Sequence, residues 1–219
     1  MKVLIAVPSC HSLRHYEQSI RDTWGLDITP EIDLRFFLGN PHSTLRADEV
    51  HLDTGDSLQD LTHKVVEMFK WALQQRYTHA LKSDLDTLVR PKLLKSSGFE
   101  QYDWTGGANS FFASGGGGYC LSQRAMRAVV EHEIEPGPAE DVNTAHALLA
   151  QGITLHADYR FKFCPGAVLD QNTITYHLSS VKGWSAKASP EEMYQAHSGT
   201  FTIPQNVVPS RQLRFRRSR

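Results

Sequence analysis

In His79-Ala80-Leu81-Lys82-Ser83-Asp84-Leu85-Asp86-Thr87-Leu88-Val89, an apolar run ends in two carboxylates one residue apart. Side chains alternate between the faces of an extended strand, so we expect Asp84 and Asp86 to project together while Leu81 and Leu85 face a core. Paired carboxylates repel unless a cation lies between them, and Mg²⁺ or Mn²⁺ binds one or two carboxylates together with water and phosphate oxygens. The segment therefore indicates a metal and diphosphate site, although an isolated Asp-x-Asp also occurs in solvated turns.

The composition is that of an ordinary globular protein. The chain has 219 residues, of which 40% are hydrophobic and 21% are charged, and this length suits one substantial core. The 23 Lys and Arg residues nearly balance the 24 Asp and Glu residues. This balance argues against a nucleic-acid partner, which would favour a basic protein.

Several features predict a cytoplasmic protein. The apolar run Val3–Val7 after Met1-Lys2 is too short for a signal peptide, and no run approaches the length of a membrane span. The three cysteines, at 10, 120 and 164, are an odd and widely spaced set. They indicate neither a disulfide framework nor a structural zinc site.

The apolar periodicities predict alternating strands and helices. We expect strands at 3–7, 34–38, 79–89 and 153–157, and helices up to about Gly25, over 57–76, after Ser122, from Glu140 to Gly152 and after Ser189. The apolar face of the helix that starts at Glu140 is predicted to consist of Val142, Ala145, Leu148 and Leu149. A helix over 57–76 that leads into a strand favours a parallel βαβ crossover. The chain is therefore predicted to be an α/β protein with a mostly parallel sheet flanked by helices, in which ligands bind beyond the carboxyl ends of the strands.

Four spaced features give a more specific indication: Ile20-Arg21-Asp22-Thr23-Trp24, the Asp84 and Asp86 pair, Gly115–Gly118 with Tyr119, and Glu140-Asp141-Val142. In this order they resemble the β1,3-glycosyltransferases, which include galactosyl- and N-acetylglucosaminyltransferases and the Fringe proteins. The resemblance runs from about Val3 to His177, and Phe36–Gly39 and Asp56–Lys64 also match family boxes. Two departures stand out, since Leu58 replaces a tyrosine and either Ser83 or Leu85 breaks the triple-Asp run.

The resemblance implies a GT-A-type fold and an inverting, metal-dependent hexosyltransferase. Such an enzyme would move a hexose, galactose or N-acetylglucosamine, from a UDP-sugar to a hydroxyl of a saccharide acceptor in a β1,3 linkage. It implies that Asp86 and His177 hold Mn²⁺ or Mg²⁺, with His156 as the alternative histidine and Asp84 reaching the ion or the donor ribose. Asp141 would be the general base that removes the proton of the acceptor hydroxyl.

The remaining site predictions concern the donor and the acceptor. Ser9, Arg21 and Lys82 are predicted donor contacts, although Arg21 could equally brace Trp24. The last group of predicted contacts, with the sugar or the acceptor, comprises Gly116, Gly117, Gly118 and Glu140. Glycines in that run would let the backbone approach a sugar ring closely, because they lack a Cβ.

Other hypotheses remain open at this point. Glu140 and Asp141 are also typical first-turn acids, favoured by the helix dipole. Asp84 to Leu88 resembles the Asp-x-Asp box of haloacid-dehalogenase-type phosphatases, with Asp84 as nucleophile, but that box normally follows the first strand and has a glycine before the threonine. A glycan-binding relative without turnover is the third hypothesis, and the broken triple-Asp run favours it.

The C-terminus carries a local basic charge. We expect a single domain over 1–198 and a basic tail over 199–219, whose last nine residues contain five arginines. Such a tail is either solvated or binds anionic lipid or a lipid-diphosphate-linked acceptor. The second hypothesis would place the protein at the inner face of the cytoplasmic membrane.

Overall fold

The computed structural model describes residues 1–39, 44–137, 139–183 and 186–203. The strands are β1 (Val3–Pro8), β2 (Ile32–Leu38), β3 (Glu49–His51), β4 (His79–Lys82), β5 (Thr87–Val89), β6 (Trp104–Gly106), β7 (Ala108–Asn109), β8 (Phe112–Ala113), β9 (Tyr119–Ser122), β10 (His156–Ala157), β11 (Phe161–Lys162) and β12 (Thr175–His177). The α-helices are α1 (Arg14–Arg21), α2 (Leu61–Gln74), α3 (Pro91–Lys95), α4 (Gln123–Glu131), α5 (Glu140–Ala150), α6 (Leu178–Lys182) and α7 (Pro190–Ser198).

A seven-stranded sheet has the order β10-β6-β9-β4-β1-β2-β3. Four of its six pairings are parallel, and only β9 runs antiparallel to its neighbours β4 and β6. Helix α2 precedes β4, which pairs in parallel with β1, as the crossover predicted from the sequence requires. The predicted α/β class, with a mainly parallel sheet flanked by helices, is confirmed.

The central strand β1 is buried on both faces. Val3, Ile5 and Val7 pack into one apolar cluster, which also contains residues of α1, α3, α6 and α7. Leu4 and Ala6 point into a second cluster with residues of α2, α4 and α5. A continuous apolar strand is the expected sequence of a parallel strand covered by helices on both sides.

A second, three-stranded sheet has the order β11-β12-β5. Strand β12 runs antiparallel to β5, with His177 opposite Thr87, and the backbone N–H of Leu178 donates a hydrogen bond to the carbonyl of Asp86 over 3.0 Å. This pairing joins a segment near the end of the chain to the residue directly after Asp86. It therefore fixes where His177 lies.

The predicted strand through Asp84 and Asp86 is wrong in its extent. Strand β4 ends at Lys82, and a turn follows in which the N–H of Thr87 donates to the carbonyl of Asp84 over 3.1 Å. Leu81 and Leu85 are nevertheless buried in the same core, as expected. The two aspartates thus lie on a turn beyond the sheet edge, where side chains can converge on a ligand.

The predicted apolar face of α5 is also wrong in part. Leu149 is 43% exposed, whereas Asn143 and Thr144 are buried. The side chain of Asn143 accepts a hydrogen bond from the backbone of Glu135, so its polar atoms are satisfied. Periodicity of apolar residues cannot identify a face that is buried through paired polar groups.

Other element bounds differ modestly from expectation. The helix predicted over 57–76 begins at Leu61, after a 3₁₀ turn that Ser57 caps, and the strand predicted at 153–157 is reduced to β10. None of the helices within the described ranges is both long and apolar enough to cross a bilayer. Of the predicted basic tail over 199–219, residues 204–219, which include all five arginines of 211–219, lie outside the described residues.

Replacing the cap of α4 should destabilise the fold. Ser122 accepts a hydrogen bond from the N–H of Ala125 and donates one to Asp103. Ser122→Ala is expected to lower the free energy of unfolding by about 1 kcal/mol, since the first turn of a core helix loses its cap. Urea denaturation checks this, with Ser96→Ala at an exposed position as control. Equal stability of the Ser122→Ala protein and the wild type would contradict the assigned cap.

Candidate active site

Two carboxylates and one imidazole converge beyond the end of β4. Ligand atoms of Asp84, Asp86 and His177 all lie within 4.8 Å of one another. The Nε2 atom of His177 is 3.1 Å from Oδ1 of Asp86, and Ser179 donates a hydrogen bond to the other carboxylate oxygen of Asp86. Ser180 is hydrogen-bonded to Nδ1 of His177 over 2.6 Å, so both ring nitrogens are oriented.

Asp86 and His177 stabilise each other's charged forms. Burial alone raises the pKa of Asp86, but the hydrogen bond and charge of His177 hold that pKa below its ordinary value. Burial alone lowers the pKa of His177, and Asp86 outweighs it and raises this pKa above its ordinary value. Each group therefore favours the charged form of the other, and the two form an ion pair when the imidazole is protonated.

The donor set suits a hard divalent ion. Carboxylate oxygens and imidazole nitrogen are common ligands of Mn²⁺, and carboxylates also suit Mg²⁺. All three residues are partly exposed, which leaves room for water and for a ligand's oxygens. The alternative histidine, His156, is instead exposed on β10 and stacks on Tyr102, with ring centroids 3.5 Å apart.

A glycine-rich loop, Gly115–Gly118, packs directly against this cluster. A Cβ on Gly116 would lie 2.4 Å from the His177 ring, and one on Gly117 would lie 3.1 Å from Phe163. Gly118 has a φ of +78°, which favours glycine. Thr87 donates to the carbonyl of Gly116 over 2.8 Å. Glycine is therefore needed here because the loop packs closely against the protein's own side chains. The predicted reason for Gly116, Gly117 and Gly118 was instead a close contact with a sugar.

The same loop holds Asp141. The N–H of Gly115 donates to Oδ2 of Asp141 over 2.9 Å, and Asp141 is half-buried in the first turn of α5. His177 contacts the loop at Gly116, one residue further along. The loop thus joins the candidate cation ligands to the predicted base within one site.

Lys82 and Glu140 lie beneath the site, and neither is open to solvent. Lys82 is 1% exposed, and its ammonium binds Asp84 Oδ1 at 2.6 Å, Glu140 Oε2 at 3.2 Å and the carbonyl of Gly115 at 3.2 Å. Glu140 also accepts a hydrogen bond from Tyr119. The predicted donor contact of Lys82 and the predicted sugar contact of Glu140 are therefore not supported, because both side chains are satisfied inside the protein.

The charges of this buried pair are balanced by their surroundings. Burial lowers the pKa of Lys82 on its own, but the carboxylates of Asp84 and Glu140 raise it above its ordinary value. Burial raises the pKa of Glu140, and Lys82 and the Tyr119 hydroxyl oppose this shift without cancelling it. The pair is thus a buried salt bridge whose two ends depend on each other.

The two other predicted donor contacts occupy different surroundings. Ser9 follows β1 at the carboxyl end of the sheet; its hydroxyl donates to Glu17 and its carbonyl accepts from Lys64 over 2.7 Å. The guanidinium of Arg21 binds Asp48 at 2.7 Å and Glu17 at 3.0 Å, and it lies over the Phe36 ring. Arg21 is therefore held in an internal ion-pair network, against its prediction as a donor contact, and it stacks on Phe36 where the sequence suggested Trp24.

Sequence reasoning missed several residues that shape the site. Thr87, Ser179 and Ser180 orient the loop and the candidate ligands. Tyr119 belongs to the motif of the glycine run, but its bond to Glu140 was not predicted. Thr87 directly follows Asp86, and both serines closely follow His177. Their position next to the candidate ligands in the sequence could have identified these three residues. Phe163, which packs against Gly117, had no such signal.

Comparison with known proteins identifies the fold. No family model and no curated protein matches the sequence. Among solved structures, the chain is similar to the apo glycosyltransferase GlyE of Streptococcus pneumoniae TIGR4, with a TM-score of 0.54, 12% identity, 90% of this chain and 60% of that chain covered. The chain is also similar to the mannosyltransferase PcManGT of Pyrobaculum calidifontis, in complex with GDP-Man and Mn²⁺. The TM-score is 0.50 and the identity 12%, and the match covers 91% of this chain and 69% of that chain.

A third similar structure belongs to a different class of transferase. It is CMP:2-keto-3-deoxy-manno-octonic acid synthetase complexed with CTP, with a TM-score of 0.50, 10% identity, 72% of this chain and 89% of that chain covered. The chain spans about 60% of the length of GlyE. At these identities the similarity shows the fold, which is the GT-A-like α/β fold shared with the two glycosyltransferases.

Removing a candidate ligand should weaken cation binding. Asp86→Asn is expected to lower the affinity for Mn²⁺ at least about tenfold, because the variant loses a charged ligand and the partner that orients His177. Isothermal titration with Mn²⁺ measures this effect, and Asp53→Asn, at an exposed acid, is the control. Equal Mn²⁺ affinity in the Asp86→Asn protein and the wild type would exclude this cluster as the cation site.

The ion pair should also make the metal-free protein's stability depend on pH. The pKa of His177 is raised in the folded state, so its contribution is fully present below about pH 6.5, the ordinary pKa of histidine, and is lost as pH rises through the raised value. The difference in unfolding free energy between wild type and His177→Gln, measured in EDTA, should shrink as the pH rises from about 6.5 through the raised pKa of His177. His156→Gln is the matched control. A difference that grows with pH would contradict the pairing.

Proposed function

We propose that this chain is a metal-dependent glycosyltransferase that moves a hexose from a UDP-sugar to a hydroxyl of a saccharide acceptor. One observation carries the proposal: the Gly115–Gly118 loop contacts both His177 of the Asp84, Asp86 and His177 cluster, through Gly116, and Asp141, through the N–H of Gly115. A cation site and a carboxylate base within one site are what sugar transfer from a nucleoside diphosphate requires. The shared fold with two glycosyltransferases supports the same class.

The cation ligands would be Asp84, Asp86 and His177, with Mn²⁺ or Mg²⁺ as the ion. When bound, such an ion supplies positive charge that stabilises the departing diphosphate. Asp86 is held for this role by Ser179, and His177 is held by Ser180. Both ligands are therefore oriented before the donor binds, which lowers the cost of organising the site.

Asp141 is the proposed general base. Its Oδ2 accepts the N–H of Gly115, so Oδ1 remains to accept the proton of the acceptor hydroxyl. As that proton leaves, the acceptor oxygen bonds to the anomeric carbon and the bond from this carbon to the diphosphate oxygen breaks. Since Asp141 acts on the acceptor and forms no bond with the sugar, a single displacement inverts the anomeric centre.

Finer features of the proposal rest on the family resemblance. The order of the motifs favours a β1,3 linkage and galactose or N-acetylglucosamine as the transferred sugar. We also infer one catalytic domain over 1–198. A lipid-linked acceptor, and attachment to the inner face of the membrane, rest only on the basic residues of 211–219, which lie outside the described residues.

A panel of nucleotide sugars tests the function. UDP-galactose, UDP-N-acetylglucosamine, GDP-mannose and CMP-linked sugars are incubated with Mn²⁺, and nucleotide release is measured with and without saccharide acceptors. Mn²⁺-dependent release from a UDP-sugar supports the proposal. Thermal stabilisation by a donor without release would instead indicate a glycan-binding relative. Phosphate release from a phosphomonoester without any sugar donor would indicate a phosphatase that uses Asp84.

Neutralising the proposed base should stop transfer and leave the cation site intact. Asp141→Asn keeps the side chain's size, and it is expected to lower the rate of sugar transfer by about 10²- to 10⁴-fold, the usual contribution of a general base. Its Mn²⁺ affinity should stay within about twofold of the wild type, because Asp141 is not among the cation ligands. Glu133→Gln, at an exposed acid before α5, is the control. Transfer at the wild-type rate would exclude Asp141 as the base.

A further inference from the structure

The buried ammonium of Lys82 joins three separate segments of the chain. Its three N–H groups have three acceptors, which lie on the turn after β4, in the glycine loop and at the first residue of α5: Asp84, Gly115 and Glu140. An ammonium offers three donors, so its hydrogen-bonding capacity is filled. Lys82 therefore has no N–H left to donate to a phosphate. Its contribution to the site lies in the three segments that it connects.

Two of these segments, helix α5 and the glycine loop, hold Asp141 in place. Glu140 precedes it directly in α5, and the N–H of Gly115 holds its carboxylate over 2.9 Å. Lys82 thus binds the helix residue next to the base and also the carbonyl of the residue that donates to the base. The third segment carries Asp84, one of the candidate cation ligands.

The packing around Gly115 shows how close this connection is. A Cβ on Gly115 would lie 2.9 Å from Oε2 of Glu140 and 3.1 Å from Nζ of Lys82. Glycine is therefore needed at this position for the loop to reach the buried pair. Tyr119, on β9, holds the other carboxylate oxygen of Glu140, so the start of α5 is fixed from two strands.

We propose that Lys82 is a positioning residue that sets the spacing between the cation ligand Asp84 and the base Asp141, by binding Asp84, Gly115 and Glu140 together. This inference rests on the proposed function. Cleavage of the donor by water needs the cation ligands and no ordered acceptor, whereas transfer also needs Asp141 aligned on the acceptor hydroxyl. Loss of the connection therefore lowers the ratio of transfer to hydrolysis, and does not lower both rates equally.

The test measures this ratio in Lys82→Met, Glu140→Gln and the double variant. Each is expected to lower the ratio of transfer to hydrolysis at least about tenfold, since small misplacements of a catalytic group have effects of that size. The double variant should lose no more than the worse single variant, because the two residues act as a unit. Lys182→Met is the matched control: it removes another lysine that pairs with a glutamate, Glu192, at 2.7 Å.

Hydrogen exchange provides a readout independent of turnover. The amide of Gly115 and those of the first turn of α5 should exchange about tenfold faster in Lys82→Met than in the wild type, because their positions are no longer fixed. The same amides should be unchanged in Lys182→Met. If Lys82→Met does not fold, the other two variants still allow both measurements. The double variant removes both buried charges together, and Glu140→Gln leaves Lys82 paired with Asp84. The transfer-to-hydrolysis ratio and the hydrogen exchange of Gly115 can therefore be measured in these two proteins.

The outcomes separate this inference from the proposed function. A transfer-to-hydrolysis ratio and a Gly115 exchange rate equal to those of wild type in all three variants would overturn the positioning role. A wild-type protein that cleaves no nucleotide sugar would overturn the proposed function, and with it the catalytic meaning of the connection, while exchange at Gly115 would still report the connection itself. A lower ratio with faster exchange supports both.

Discussion

Four carboxylates converge beyond one edge of the central sheet: Asp84, Asp86, Glu140 and Asp141. Their mutual repulsion is the constraint on which the arrangement of the site depends, because charges removed from water interact more strongly and are costly when unpaired. The protein supplies the ammonium of Lys82 for Asp84 and Glu140, and the imidazole of His177 for Asp86. Asp141 is held by a backbone N–H from the glycine loop. Each acidic group therefore has a partner, with Lys82 shared by Asp84 and Glu140, and the partners determine where the loop and helix α5 lie.

The fold brings these partners together from distant parts of the sequence. Parallel pairing of β1 with β4 places the turn after β4 beyond the carboxyl ends of the strands, where α/β proteins bind ligands. The antiparallel pairing of β5 with β12 then brings His177 to that turn from 91 residues away. Ser179 and Ser180 follow within one turn of helix and complete the hydrogen bonds of the pair. Thus a short second sheet, and not the main one, assembles the candidate cation ligands.

Much of this could be predicted from the sequence. Continuous apolar residues in β1, helical periodicity in α2 and the capping residues of α4 and α7 determine local structure, so the α/β class and a parallel crossover follow from them. The grouping of Asp84, Asp86 and His177 came from the order of motifs, and the structure brings these side chains within 4.8 Å. Strand ends were less predictable, as the turn at 83–86 shows, because a turn and a strand can carry the same apolar and acidic residues.

Roles that depend on burial could not be predicted. Arg21 and Glu140 are charged motif residues, and Lys82 lies two residues before Asp84, so the sequence favoured ligand contacts for all three. In the structure their charges are satisfied by other protein groups, and only three-dimensional pairing reveals this. The buried polar residues of α5 were missed for the same reason, since Asn143 and Thr144 are buried with hydrogen-bond partners. Sequence patterns report apolar burial well and paired polar burial poorly.

We propose that a cation held by Asp84, Asp86 and His177 shares one cleft with Asp141, the proposed base. The most direct measurement is anomalous diffraction at the manganese edge from crystals of this protein grown with Mn²⁺ and UDP. We expect a manganese peak in contact with all three side chains, with the diphosphate on the side of the glycine loop that faces Asp141. A peak bound by none of the three, or a diphosphate separated from Asp141 by the loop, would contradict it.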